Sequence, residues 1–289
     1  DVTTATTLSI SDVATRVDLA AGVDLRSTGN LSVGTNVASI LLSGADTTAN
    51  VVDATGDAST VTLAAVAATN NDVDLTVNSD GNISLTSVNL GTTGTLTINL
   101  DDDNDTADSN LTAGALAGGT VSIDGGDGND DVTINGALTS NTAGISITDV
   151  DQLQTTNTVS AATTLTVTTT NEAVFGDGAG DTVAAGTDIS ITADEIDFGG
   201  GANTVSGGGT LLLQPLTASA TIGVGGGTGT LDLSTADVDA LADGFTQITI
   251  GRSADGTGNV DINASSFNDS LAVFGAGISV TGLDNTGSD

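Results

Sequence analysis

The sequence predicts an all-β chain wound as a parallel β-helix, a solenoid with coils of about 20–25 residues. Three observations carry this. Apolar residues alternate with Ser, Thr, Asn or Asp in short runs along the whole chain. Those runs recur at a drifting spacing: 25 residues from Leu96 to Val121, 24 to Ile145, 20 to Leu165, 24 to Ile189, 22 to Leu211 and 20 to Leu231. Pro occurs once, at Pro215, and Gly supplies 39 of 289 residues, roughly double the usual share. An array of β-sandwich domains is the alternative, because turn signals every 8–12 residues fit it too.

The clearest strand patterns are 73–77, 83–85, 96–100, 121–123, 145–147, 165–167, 189–191, 231–233 and 278–280. In each, alternate apolar side chains point to one face of a pleated strand and the polar ones to the other. Gly, Asn or Asp precedes many of them, as turns require. A core built this way is narrow, which accounts for only five aromatic residues, Phe175, Phe198, Phe245, Phe267 and Phe274. With stacked strands roughly 4.8 Å apart, about a dozen coils would extend on the order of 60 Å. One helix is expected, over Thr235–Gly244, between the 231–233 and 248–250 runs. There Thr235 would cap, Asp237 and Asp239 would suit the first turn, and Gly244 would stop the helix. The reading is of one continuous solenoid over 1–289. With no Met at its start, the chain is read as a segment or processed subunit of a larger protein.

Composition excludes several classes of function. Cys, Met, Trp, Tyr, His and Lys are all absent, and the only cations are Arg16, Arg26 and Arg252. Against these stand 37 acids, all Asp except Glu172 and Glu195, for a net charge of −34. Disulfides and thiolate metal sites are impossible. No apolar run is long enough to span a bilayer as a helix, and no nucleic acid or membrane partner is expected of so anionic a surface. Such charge with few aromatics often marks disorder. Here 38% of residues are hydrophobic and β-branched residues abound, which favours strands.

Calcium is the cofactor the residues suggest. Gly125-Gly126-Asp127-Gly128-Asn129-Asp130-Asp131-Val132-Thr133 fits the nonapeptide of calcium-binding β-rolls, with Asp127, Asp130 and Asp131 as candidate ligands. Only one full copy exists, whereas a β-roll stacks tandem copies; Asp177–Asp181 and Gly199–Asn203 are degenerate relatives one coil apart. Asp101, Asp103 and Asp105 share the one-three-five spacing of calcium loops. Thr106 stands where an EF-hand needs Gly and Thr112 where it needs Glu, so that loop type is excluded. The bland readings are a Gly/Asp turn ladder and a solvated loop.

Catalysis is not expected. The usual bases and nucleophiles are missing, and Glu195, within Asp194-Glu195-Ile196-Asp197, is the one place where paired carboxylates could act on a glycan. Arg252, beside the 248–250 run, reads as a rim ion pair with a nearby Asp.

Residues 188–262 resemble blocks of very large bacterial exoproteins of the filamentous-haemagglutinin-like, β-strand-repeat type. The matching pieces are Ile191–Phe198, Leu211–Pro215, Leu231–Asp243 and Ile248–Gly251. The resemblance implies a right-handed β-helix and export to the bacterial cell surface or medium; it carries over no catalytic residues. The expected function is thus a non-catalytic structural or adhesive module of an extracellular surface protein, a stalk or filament. Its expected partners are further coils, by end-to-end self-association or continuation within a longer chain, and a surface glycan or cell receptor. The alternatives are a calcium-dependent surface-layer or β-roll secreted protein and a polysaccharide-active β-helix enzyme.

Overall fold

A computed structural model describes the chain except for residues 5, 12–14, 35–36, 44–48, 57, 102–107 and 286–289. The chain divides into two compact units, Asp1–Asp151 and Gln152–Asp289. Each is a parallel β-solenoid, as the alternation and spacing predict.

In the first unit, eighteen strands from Val2–Thr4 to Leu138–Ser140 form six coils of three. Each coil contributes one strand to each of three parallel sheets. The register keeps inward residues directly over one another. On the first sheet Leu25 lies on Val52, Val52 on Val77, Val77 on Ile98, and Ile98 on Ile123. On the second, Leu8, Leu31, Val61, Ile83, Leu111 and Val132 make one column. On the third, Val17, Ile40, Val66, Val88, Leu116 and Leu138 make another. From Leu25 onward nearly all of these are under 4% exposed, and each such side chain contributes about 1.5–3 kcal/mol.

The second unit repeats the arrangement with one interruption. Leu165, Ile189, Leu211, Ile248 and Leu271 stack in register, as do Val159, Val183 and Val205. The strand Leu165–Phe175 is longer than the three-to-five-residue run expected. It turns a corner, pairing residues 165–168 with Ile189–Thr192 and residues 172–175 with Glu195–Phe198. Phe175 and Phe198 stack there with ring centroids 5.7 Å apart.

The step from Leu211 to Leu231 is not a coil. Leu211 lies against Ile248, 37 residues on, and the residues between form an insert. Within it, Leu231–Leu233 folds back parallel to Ile222–Val224, in the strand order Leu231–Leu233, Ile222–Val224, Val260–Ile262, Ile278–Val280. Glycine makes this reversal feasible: Gly225 and Gly226 take φ of 62° and 84°, and a Cβ on Gly229 would overlap the Gly223 amide.

The expected helix lies in the same insert, over Thr235–Ala240, but its ends differ. Ser234, not Thr235, is the N-cap, in a capping box with Asp237. Gly244 does not end the helix. It stops at Ala240 because Leu241 turns extended and bridges Val205, with Ala242 N–H donating to the Val205 carbonyl at 2.8 Å. Val238 and Ala240 are buried, so the helix covers core as expected. No described helix is long and apolar enough to cross a membrane.

The register makes a direct prediction. Ile98 is fully buried, so Ile98→Ala should cost about 2–5 kcal/mol by chemical denaturation. Exposed Thr112→Ala should stay within about 0.5 kcal/mol of the parent.

Candidate functional site

Corners between strands gather many of the acidic residues, while others, such as Asp53, Glu172 and Glu195, lie within strands. At several corners a backbone N–H has no partner within the strand ladder, and a short Asp or Asn side chain from a neighbouring coil accepts from it. Asn30 accepts from Thr60 N–H at 3.0 Å, Asp74 from Thr95 at 2.6 Å, Asn82 from Asn110 at 2.9 Å and Asp188 from Thr210 at 2.7 Å.

One such corner of the first unit carries the sequence-predicted calcium residues. Of the nonapeptide acids only Asp130 is buried, at 0% exposure; Asp127 and Asp131 are exposed. Asp127 N–H donates to Asp101 Oδ2 at 3.1 Å, and Asp131 N–H to Asn110 Oδ1 at 2.9 Å. Asp101 is 1% exposed, with φ of 50°. Asp103 and Asp105 lie outside the described residues. Gly125 is required here, since a Cβ would overlap the Asp149 carbonyl.

Asp130 sits in a vertical ladder. Ser109 N–H donates to its Oδ1 at 2.5 Å, its own N–H donates to Asp151 Oδ2 at 3.1 Å, and its carbonyl accepts from Asp151 N–H at 2.8 Å. Burial pushes its carboxyl up to about 7 against the opposing Ser109 hydrogen bond, and the charges of Asp101, Asp151 and Asp108 push the same way. Asp131 is raised by burial and by Asp151 and Asp108. Sequence reasoning missed Ser109 and Asp151 as members. The signal was available, because each lies 21 residues, one coil, from Asp130. Among the described residues, no three carboxylates converge as a ready metal cage.

The degenerate turns do stack. Gly180 N–H donates to the Gly200 carbonyl at 2.8 Å, but Asp181 turns inward on its own loop, accepting from Gly178 N–H at 2.9 Å.

A second acidic group lies in the second unit. Glu172 and Glu195 face one another in register, with Asp197 two residues along the same strand. Asp232 N–H donates to Glu195 Oε2 at 3.4 Å. Burial pushes Glu195 up to about 7, assisted by Asp197, Asp232 and Asp237. Asp197 is raised by burial and by Asp237, Glu172 and Asp232. Asp237, 4% exposed, pins the insert: Phe198 N–H donates to its Oδ1 at 2.8 Å, and Ser234 N–H and Oγ donate to its Oδ2 at 2.9 and 2.6 Å.

The three arginines are engaged elsewhere. Arg16 pairs with Asp18, and Arg26 with Asp24 and Asp53. Arg252 makes the expected rim pair, donating to both Asp255 oxygens at 2.7 and 2.8 Å and to the Leu216 carbonyl at 2.8 Å.

A glutamate whose folded pKa lies above its unfolded value binds its proton more tightly when folded. Stability then falls as pH rises between the two values and is level above them. The melting temperature should therefore decline from the ordinary glutamate range to about pH 7, with Glu195→Gln removing part of the slope. An unaltered slope in E195Q would reject this. Asp237→Ala strands three donors and should cost at least about 1–3 kcal/mol, read as earlier melting of the second unit.

No protein-family model, no curated protein and no solved structure matches the chain. By its fold, the chain is a parallel β-solenoid, compatible with a β-helix repeat protein.

Proposed function

We propose that this chain is a non-catalytic structural module of an extracellular bacterial surface protein, serving in a stalk or filament and presenting an adhesive face. The observation that carries the reading is the repetition of one coil design. Three inward columns stay apolar from coil to coil through the first unit, with buried polar residues such as Asn50 and Ser79 at neighbouring positions of the first sheet. On its second sheet the outward position is a hydroxyl in every coil: Ser9, Ser32, Thr62, Ser84, Thr112 and Thr133, in register. Residues are spent on stacking and on a regular polar exterior, which suits a spacer or display surface. The resemblance of residues 188–262 to β-strand-repeat exoproteins supports export and surface location. The strong negative charge supports solubility and discourages edge pairing along the sides.

The partners we propose are further coils and a surface glycan or cell receptor. Ile278–Val280 pairs with Val260–Ile262. Ile278 is 48% and Val280 52% exposed, with Phe274 and Leu283 also exposed. This edge is suited to a further coil, from the same chain or from a second copy in end-to-end association.

The test is sedimentation across a concentration series with electron microscopy of the same samples. Elongated particles that lengthen with concentration are expected. Ile278→Lys with Val280→Lys should suppress the lengthening, because charges on an edge oppose pairing. A sedimentation coefficient independent of concentration would reject self-association. Product release from any neutral or acidic polysaccharide would reject the non-catalytic reading.

A further inference from the structure

The corner at Asp130 holds two buried oxygens that no hydrogen-bond donor among the described residues reaches, Asp130 Oδ2 and Ser109 Oγ. Both residues are 0% exposed. They are in contact through Ser109 N–H, which donates to the other carboxylate oxygen, Oδ1, at 2.5 Å. No hydrogen bond joins the two orphaned oxygens to one another. Among the described residues, the charged groups acting on Asp130 are Asp101, Asp108 and Asp151, all acidic. The cations that could offset them are committed to Asp18, Asp24, Asp53 and Asp255.

Burying a carboxylate oxygen without a donor, among like charges, is costly. Two occupants would relieve it. A proton on Oδ2 neutralises Asp130 but leaves the Ser109 hydroxyl orphaned. A hard cation serves both oxygens at once and offsets the neighbouring carboxylates.

We propose that Asp130 and Ser109 anchor a binding site for a single calcium ion, with Asp101, Asp108 and Asp151 supplying the surrounding negative potential. Calcium fits better than magnesium, because it accepts irregular oxygen sets from side chains, backbone carbonyls and water, whereas magnesium demands a near-ideal octahedron. The sequence motif points independently to the same residue, since Asp130 occupies its acidic ligand position. The ligands are not those expected from the motif alone: exposed Asp127 and Asp131 are replaced by Ser109 from the preceding coil. With so few side-chain ligands the affinity should be modest, about 10⁻⁴–10⁻³ M as in extracellular calcium modules. The site would clamp two successive coils of the first unit, separately from any role of the chain in assembly.

The experiment is a calorimetric titration of calcium chloride into the full chain at physiological ionic strength, where diffuse counter-ion attraction is screened. Thermal melts with calcium and with chelator accompany it. The variants are Asp130→Asn, Ser109→Ala and, as control, exposed Asp243→Asn in the second unit. Wild type and D243N should show the same single-site component and the same calcium-dependent rise in melting temperature. D130N should weaken that component by at least about tenfold, and S109A should weaken it as well. D130N keeps the shape of the side chain and an acceptor for Ser109, so it should fold; S109A removes only a hydroxyl. Amide shifts of Ser109 and Asp131 on adding calcium to wild type provide a readout free of substitution. The proposal is overturned if wild type and D130N respond alike, since binding is then diffuse. It is also overturned if wild type shows no calcium-dependent component; a D130N variant that then melts higher would mean that a proton occupies the corner.

Discussion

Everything in this fold depends on the axial hydrogen-bond ladder between parallel strands of successive coils. Inside a coil there is almost no local backbone pairing to fall back on. Each N–H and C=O must meet its partner about one coil away, at separations of 21 to 30 residues in the stacks of the first unit. That requirement fixes the register, and the register puts like residues over like. Leu25, Val52, Val77, Ile98 and Ile123 are a column because the ladder allows no slip without moving apolar residues to the solvent face.

The ladder fails at corners, and there the composition becomes intelligible. A corner amide needs an acceptor on a short tether, and Asp or Asn supplies one where Glu would overshoot. Asp74, Asp188, Asp194 and Asp269 each accept backbone N–H groups from neighbouring coils. The preponderance of Asp over Glu is thus largely a consequence of solenoid geometry. It also concentrates negative charge where the chain turns. Where such a corner is roofed over, as at Asp130, the same residue that satisfies an amide becomes a buried carboxylate in an acidic neighbourhood.

The insert of the second unit shows the ladder being broken and repaired. Folding Leu231–Leu233 back beside Ile222–Val224 takes up the edge of that strand opposite the one that pairs with Val260–Ile262. Asp237 closes the gap, joining the Ser234 cap to Phe198 on the neighbouring strand. The acidic group of Glu172, Glu195, Asp197 and Asp232 arises from this local crowding of outward-facing positions. Burial and like charge disfavour the ionised forms of two of its carboxyls, pushing Glu195 up to about 7 and raising Asp197.

Alternation and spacing determined the solenoid, its coil length and most of its strands. These are properties of a repeated unit, and repetition is visible in one dimension. The same period could have grouped Ser109, Asp130 and Asp151, which lie one coil apart. Sequence alone could not decide where a period is interrupted: Leu231 carries the same alternation as Leu211, yet only the fold shows that Leu211 stacks on Ile248. Nor could it place the helix end. Ala240 is the last helical residue because Leu241 is taken by a strand partner, Val205, that is 36 residues away in sequence. Within the nonapeptide, the sequence offered Asp127, Asp130 and Asp131 together as candidate ligands, with Asp130 at the motif's acidic position. The tertiary structure separated them, because only the neighbouring coils determine which carboxylate is covered and which meets water.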